Sequence, residues 1–420
     1  MDSKLKVRVR KRALRMGGVG RIWQALLAQR VVITVCLFNI VISLVSTCFF
    51  YSELYHLQSF PLFSNQLNAF ISVVVPGVAL IVMRARALRR GDSWDWLGGV
   101  ALWKWAQLGA LFSLQNTLDI ASIDGLGDRN SNLPPVFSQA CIPVTMALSR
   151  LKLGKEYSIW HYVGACVVVG GILLSYLPLA VSSSSSVPVG WACLFLMGRL
   201  PQSMANVQSE AVLDRASNTN AQQRSKAMPE PAAASGAFLL LVHFTFWTSI
   251  FSLPFNFIYS LILSAIPGVP FAINPDYANG WSCVFAGTCD GTKYPHIDCS
   301  SAWLSVVLFA IPGVLFSASE FQVLQHAGAA VYFILLAVEL PLQALMLASP
   351  YIMGSMAGES HISIIYGIAL LLPGLLLYGW AELQSERSVK NARDSDTNSF
   401  ADSNNHLATA MATPLLRSPD

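Results

Sequence analysis

The sequence feature that most constrains the fold is a series of long apolar runs. A helix that crosses the hydrocarbon core of a membrane needs roughly 20 mainly apolar residues. Ten such runs are bounded by charged or turn-forming residues, and they cover residues 31–51, 65–83, 102–123, 133–149, 160–178, 189–212, 236–265, 302–325, 328–349 and 361–382. A transmembrane β-barrel would instead show short segments of alternating polarity. The sequence therefore predicts an all-α polytopic membrane protein with ten transmembrane helices.

Charged residues are too few for a soluble protein of this length. Only 12% of the 420 residues are Asp, Glu, Lys or Arg, whereas ordinary soluble domains contain about 25%. So few charges could not cover the surfaces of two or three soluble domains. The composition therefore excludes a water-soluble enzyme, a protein that binds nucleic acid and an intrinsically disordered chain.

The positions of the basic residues predict the orientation in the membrane. The segment before the first span, the links after spans 2, 4 and 6, and the tail together hold 23 of the 27 Lys and Arg residues. The opposite set of loops holds only Arg129 and Lys293. Because basic residues accumulate on the cytosolic side, both termini are predicted to be cytosolic. An even number of spans also excludes a seven-helix receptor.

Three regions lie outside the predicted helices. The basic arm, residues 1–30, is either a helix lying on the anionic cytosolic membrane surface or a disordered segment that only sets the orientation. The tail, residues 383–420, is rich in Ser, Asn and Asp and is predicted to be disordered and cytosolic. A long loop, 266–301, is predicted on the non-cytosolic side, within the ten-helix membrane domain of residues 31–382.

That loop contains three cysteines, Cys283, Cys289 and Cys299. A zinc site needs four ligands of suitable spacing, so no metal site is predicted. The non-cytosolic side of an endomembrane can be oxidising, which favours a disulfide. Three cysteines permit one bridge, and the sequence leaves the choice of pair open.

The two halves of the chain contain similar segments. Pro143 in SQACIPVTMAL matches Pro341 in VELPLQALML, and the glycines of the following spans match in pairs that are both seven residues apart: Gly164 and Gly171 with Gly367 and Gly374. Five spans per half mean that the second half enters the membrane from the opposite side. The sequence therefore predicts a 5+5 inverted repeat, whose interface commonly forms a substrate site near the midplane.

With these features the chain resembles the chloroquine-resistance-transporter-like family of the drug/metabolite transporter superfamily. The resemblance rests on the ten spans, the repeat, the SQxxIPVTM run, PQSMANVQSE at 201–210 and the loop WSCVFAGTCDG…CSSAW. Family members often carry four cysteines in this loop, whereas this chain has three. In the family, spans 1 and 9 line the cavity where specificity changes, and Thr47 and Glu339 lie near those positions.

The resemblance implies a function and a location. It implies export of small solutes, such as amino acids, short peptides, glutathione-like thiols or cationic amphiphiles, by gradient-driven, proton-coupled transport. The membrane is expected to be vacuolar or lysosomal, or a plastid envelope. The partners are the small-molecule substrate, protons and membrane lipids, no cofactor is expected, and the oligomeric state is left open, with a monomer compatible.

Four charged residues lie well inside predicted spans: Arg199, Asp119, Glu320 and Glu339. Such residues are costly in lipid and usually face a cavity or a partner. Arg199 and Glu339 each lie roughly 15 Å from the start of their span, near the midplane, so they could pair. One hypothesis is that Arg199 holds a substrate carboxylate while Glu339 takes a proton or the substrate's amine; the alternative is a permanent ion pair. Asp119, near the outer end of span 3, and Glu320, in the inner third of span 8, serve either transport or a helix interface.

Uncharged polar residues are weaker candidates for the pathway. Gln139 and Asn206, together with Gln115, Asn116 and Ser203, either line it or bridge packed membrane helices.

Sequence motifs typical of other functions are incomplete or absent. The sequence GLGD at 125–128 resembles part of an intramembrane aspartyl protease motif, but it lies in a polar loop, and no Tyr-Asp pair occurs anywhere in the chain. No Walker glycine loop, GxSxG or HExxH occurs, so the chain is predicted to be neither an enzyme nor a primary pump. The remaining alternatives are a nucleotide-sugar or sugar-phosphate antiporter of the same superfamily and a non-transporting scaffold or receptor.

Overall fold

The computed structural model describes most of the predicted membrane region. The described residues are 33–49, 60–89, 97, 100–126, 133–181, 189–224, 232–266, 273–288, 299–354, 357 and 362–385. The predicted basic arm, residues 1–30, lies outside them, as does the tail beyond residue 385.

Within this part of the chain the protein is entirely helical, which confirms the predicted all-α class. Its helices, in chain order, are α1 (Ile33–Phe49), α2 (Pro61–Arg89), α3 (Leu102–Leu126), α4 (Leu133–Ser138), α5 (Cys141–Leu153), α6 (Ile159–Val181), α7 (Val189–Arg224), α8 (Ala232–Ser264), α9 (Ile273–Trp281), α10 (Ala302–Leu347), α11 (Pro350–Met353) and α12 (Ile362–Ser385). A π-helical turn, Ser282–Ala286, extends α9. The loop 266–301, which is predicted to be non-cytosolic, therefore contains a helix of its own.

Several helices have the length and composition of membrane spans. Among the described residues, four are long and apolar enough to cross a membrane: Leu62–Arg89, Ile159–Val181, Val242–Ser264 and Ile362–Ser385. Shorter apolar helices are found at Ile33–Phe49 and Ala302–Phe316. The other predicted spans also coincide with helices. The structure thus supports a helical membrane protein, and the number ten stays a prediction.

A proline divides the fourth predicted span, 133–149, into α4 and α5. Pro143 has no N–H to donate to the carbonyl of Gln139, four residues earlier. That carbonyl instead accepts the N–H of Ile142, at 3.0 Å. The tighter hydrogen bond produces a turn between the two helices, and the span continues beyond it.

The two predicted spans 302–325 and 328–349 fall within one helical element, α10, and contacts with α1 show that this element is not straight. Ser46 Oγ lies 4.0 Å from a Cβ built on Gly313, and Cys48 Sγ lies 3.3 Å from Met346 Sδ. In a straight helix Gly313 and Met346 would be about 50 Å apart, whereas Ser46 and Cys48 are separated by about 3 Å along α1. The chain therefore reverses between residues 313 and 346, giving α10 a first arm and a second arm.

Contacts near the helix ends join residues that were predicted to lie on the same side of the membrane. On the predicted cytosolic side, Lys155 pairs with Glu210, and His161 Nε2 lies 3.0 Å from Glu382 Oε2. On the opposite side, an apolar cluster joins three different helices through Leu62, Ala121 and Leu263. This agreement supports the alternation of the predicted spans; it leaves the absolute orientation a prediction.

Helices α6 and α12 pack through the four glycines that the sequence comparison had matched. A Cβ added to Gly164 would lie 2.9 Å from the carbonyl oxygen of Gly374, and one added to Gly171 would lie 2.9 Å from that of Gly367. Small residues allow membrane helices to approach this closely. We call this contact the glycine seam. It joins the first half of the chain to the second.

Candidate functional site

Arg199 forms a buried ion pair with Asp119. Arg199 lies on α7 with 3% of its side chain exposed, and its Nη2 donates to Asp119 Oδ1 on α3. Its Nη1 donates to Gln202 Oε1 at 2.7 Å, and its Cζ lies 4.3 Å from the ring centroid of Phe195. The guanidinium is therefore compensated by a carboxylate and held by groups of its own helix.

The second oxygen of Asp119 is also bound. Gln115 Nε2, one turn earlier on α3, donates to Asp119 Oδ2 at 2.8 Å. The close approach of α7 depends on Gly198, because a Cβ there would lie 2.9 Å from Asp119 Oδ1. The structure therefore gives Arg199 the partner Asp119, whereas depth alone had suggested Glu339. Depth gave no information on which helices are neighbours.

Glu339 lies in a second polar cluster, between α1 and the second arm of α10. Its side chain is 2% exposed, and Ser43 Oγ on α1 donates to Glu339 Oε1. Gln343 Nε2 donates to the same carboxylate oxygen at 3.0 Å and to Ser43 Oγ at 2.9 Å. Thr47 is half-buried and lies one turn beyond Ser43. The structure therefore brings the predicted residues Glu339 and Thr47 to the same pair of elements.

A third polar cluster joins α5 to α7 around Cys141. Cys141 Sγ lies 3.3 Å from Ser203 Oγ and 3.4 Å from Thr145 Oγ1. Asn206, which is exposed, donates from Nδ2 to the same sulfur at 3.5 Å. Gln139 is buried nearby, and its Nε2 donates to the carbonyl of Pro135 at 3.4 Å. Gln139 thus stabilises the turn before α5, whereas Asn206 borders open space.

A fourth contact joins α1 to the first arm of α10. Asn39 Nδ2 donates to Ser319 Oγ at 2.8 Å, and both residues are buried. The adjacent Glu320 lies within α10, and its side chain falls outside the described part of the structure.

Four residues of these clusters were not predicted from the sequence: Ser43, Asn39, Gln343 and Ser319. A four-residue spacing was the available signal, because Asn39, Ser43 and Thr47 recur on one face of a helix, as do Glu339 and Gln343.

The predicted cytosolic ends of α6, α7 and α12 hold a polar cluster outside the predicted membrane-spanning segments. Partial burial lowers the pKa of Lys155, but the hydrogen bond and charge of Glu210 outweigh this effect, so the pKa lies above its ordinary value. Burial raises the pKa of the Tyr157 hydroxyl. His161 Nδ1 accepts the backbone N–H of Ser158 at 3.1 Å, which leaves Nε2 to donate to Glu382.

The loop cysteines include one disulfide. Cys283 and Cys299 are bridged, with a Cα–Cα distance of 4.9 Å. Both residues are buried against Phe60, which directly precedes α2, and Phe63, which lies in its first turn. Cys289 lies outside the described residues. In the part of the chain that the structure describes, no three His, Cys, Asp or Glu side chains are grouped as metal ligands.

Comparisons with known proteins identify similar sequences. The family model described as "CRT-like, chloroquine-resistance transporter-like" matches residues 31–378. Crt homolog 1 of Dictyostelium discoideum is 27% identical over 65% of this chain and 58% of its own length. The chloroquine resistance transporter of Toxoplasma gondii is 26% identical over 67% of this chain and 32% of its own length. The chloroplastic protein CLT2 of Arabidopsis thaliana is 22% identical, over 80% of this chain and 73% of its own length. The match to the first two relatives thus spans about a third to three fifths of their length.

Proposed function

Because the chain belongs to the chloroquine-resistance-transporter-like family, we propose that it is a secondary transporter of small organic solutes across an endomembrane. Relatives named as transporters support a membrane transporter. The proposed substrates are amino acids, short peptides, glutathione-like thiols and cationic amphiphiles, driven by a gradient and coupled to protons. A vacuolar or lysosomal membrane is proposed, and the chloroplastic relatives make a plastid envelope the second candidate.

The fold proposed for this function has ten spans in a 5+5 inverted repeat. The glycine seam supports the repeat. If Gly164 corresponds to Gly367 and Gly171 to Gly374, a two-fold axis converts the contact of Gly164 with Gly374 into the contact of Gly367 with Gly171. Both contacts are present. The reversal within α10 supports the count of ten, because it gives spans 8 and 9 opposite directions.

The observation that carries the proposal is the buried carboxylate of Glu339. It lies at mid-depth in its span, between two helices of different halves, and its neighbours Ser43 and Gln343 are neutral donors. A carboxylate in this setting can accept a proton or the ammonium group of a substrate. Buried ionisable residues within membranes commonly serve such relays. We therefore assign proton coupling or amine binding to Glu339.

Arg199 receives a different role. Asp119 already occupies its guanidinium, so a substrate carboxylate would have to displace an intramolecular partner. The proposed role of the pair is to join spans 3 and 6 where the pathway is closed on the predicted outer side.

Two exposed asparagines support an aqueous pathway next to this pair. Asn116 on α3 and Asn206 on α7 lie within predicted spans, and both side chains are exposed. Exposed amides in lipid would be costly, whereas they are readily accommodated along a water-filled cavity. Asn206 also borders Cys141.

The test is uptake by the purified full-length chain in proteoliposomes. The panel comprises amino acids, di- and tripeptides, glutathione and amines, each with and without an imposed pH gradient. Glu339→Gln should abolish the response to the gradient while the protein still inserts. Glu210→Gln, which changes a half-exposed carboxylate at the cytosolic end of α7, is the matched control and should keep it. An unchanged response in Glu339→Gln would rule out the coupling role.

A further inference from the structure

The polar contacts of α7 recur around α1 with the same spacing. On α7, Arg199 contacts Asp119 of α3, and Ser203, one turn later, contacts Cys141 of α5. On α1, Asn39 contacts Ser319 in the first arm of α10. One turn later, Ser43 contacts Glu339 in the second arm. Each helix therefore makes two contacts, four residues apart, with two consecutive predicted spans of the other half.

The correspondence is consistent with an independent sequence match. Pro143 matches Pro341, and the same register pairs Cys141 with Glu339 and Thr145 with Gln343. In the structure, Thr145 lies beside Cys141 as Gln343 lies beside Glu339. A match found in spans 4 and 9 thus predicts which residues α1 and α7 should contact. That leaves the pair Asn39–Ser319 as the equivalent of Arg199–Asp119.

The two equivalent pairs lie on opposite sides of the membrane midplane. Asp119 is four residues from the end of predicted span 3, 102–123, which is on the predicted outer side. Ser319 is six residues from the end of predicted span 8, 302–325, which is on the predicted cytosolic side. A two-fold axis in the membrane plane would exchange these depths.

We propose that Asn39 and Ser319 form the cytosolic closure of the transport pathway, as the counterpart of an outer closure formed by Arg199 and Asp119. The assignment rests on the proposed transport function. The outer closure is charged and the cytosolic closure is neutral. Because charge-assisted hydrogen bonds are about twice as strong as neutral ones, the cytosolic closure opens more readily. Asn39 and Ser319 thereby set which side opens first.

The correspondence is tested by transplanting the charges. Asn39→Arg alone places a cation opposite the neutral hydroxyl of Ser319, so the detergent-solubilised protein should melt at a lower temperature. Adding Ser319→Asp should restore part of that loss. Adding Ser305→Asp instead, at another buried serine of α10, is the matched control and should restore nothing. Equal recovery with Ser305→Asp, or none with Ser319→Asp, would overturn the correspondence.

The closure role is tested without a large side chain. In Asn39→Cys with Ser319→Cys, oxidative cross-linking should stop uptake, and reduction should restore it to within twofold of the untreated rate. Asn39→Cys and Ser319→Cys as single variants, treated identically, control for reduction of the loop disulfide Cys283–Cys299. Uptake that continues at an unchanged rate after complete cross-linking would refute the closure.

The two readouts separate this inference from the proposed function. Recovery of the melting temperature depends only on packing. If the wild-type protein transports no member of the panel, the proposed function fails and the closure role fails with it. The correspondence of the two pairs is then still decided by the melting temperatures.

Discussion

The glycine seam allows a substitution to be compared with its immediate neighbour in the chain. At Gly171, an added Cβ would lie 2.9 Å from the carbonyl oxygen of Gly367 and 2.9 Å from the Cβ of Leu371. At Gly170, the nearest atom to an added Cβ is Leu370 Cδ2, at 3.6 Å, an ordinary contact. Both residues lie within the same helix, α6. Gly171→Ala and Gly170→Ala therefore differ only in the atoms that the new methyl group would contact.

The expected magnitudes have opposite signs. Replacing Gly by Ala inside a helix gains about 1 kcal/mol of helix propensity, and Gly170→Ala should gain up to this amount. Gly171→Ala must also move α12 away by a few tenths of an ångström, and overpacking of this kind costs about 1–3 kcal/mol. Since the obstructing atom is backbone, a side-chain rotation cannot relieve the overlap. The free energies of unfolding of the two variants should therefore differ by about 1–3 kcal/mol.

The assay is denaturant unfolding of the two variants and the wild type in the same lipid–detergent mixture, followed by tryptophan fluorescence. Trp160 and Trp380, whose ring centroids are 6.2 Å apart, report on contact between α6 and α12. The expected order of stability is Gly170→Ala at or above wild type, and Gly171→Ala lowest. Equal stability of the two variants would refute the seam as described.

Three further predictions concern the polar clusters and the loop. Asp119→Asn should destabilise the protein by about 3–5 kcal/mol, because it leaves the buried Arg199 uncompensated. In the same unfolding assay, Arg199→Met combined with Asp119→Leu should cost less than Asp119→Asn alone. A larger loss in the double variant would contradict the ion pair. Cys283→Ser should cost about 3 kcal/mol, as expected for a loop of about 15 residues closed by a disulfide. Thiol counting by mass spectrometry should show Cys299 becoming free in that variant, whereas Cys289→Ser should leave the bridge intact. Lys155→Met should lower stability by only about 0–1 kcal/mol, because both partners of the pair with Glu210 are more than a third exposed. Since the pKa of Lys155 is raised, the stability that its charge contributes is present at neutral pH and is lost only in strongly alkaline solution. A difference in melting temperature between wild type and Lys155→Met that disappears between pH 7 and 9 would be inconsistent with the pair.

Hydropathy and charge predicted the helices well, because the membrane imposes a length and an apolar composition on every span. The same rules located Arg199, Asp119 and Glu339 as residues that must be buried with partners. The partners themselves depended on helix neighbours and rotation, which a single sequence does not specify. Asp119, expected near the outer end of span 3, proved to be the partner of Arg199.

Neutral residues were harder to recognise than charged ones. Ser43 and Gln343 donate hydrogen bonds to Glu339, yet serine and glutamine are common in membrane helices and their presence alone predicts little. The choice between three cysteines was also open, because spacing does not fix a bridge. Packing of Cys283 and Cys299 against Phe60 and Phe63 brings those two together.

The glycine seam also bears on how a chain of this kind can diverge. In a symmetric dimer of one half-length chain, every substitution at such a contact is made twice, so a change to Gly164 would alter both glycine contacts together. With both halves on one chain, Gly164 and Gly367 are encoded by separate codons, and each contact can vary alone. Under the proposed repeat, the same independence allows one contact between the halves to be Arg199 with Asp119 while its counterpart is Asn39 with Ser319. A covalently joined repeat can thus keep a symmetric framework while acquiring a preferred direction of transport.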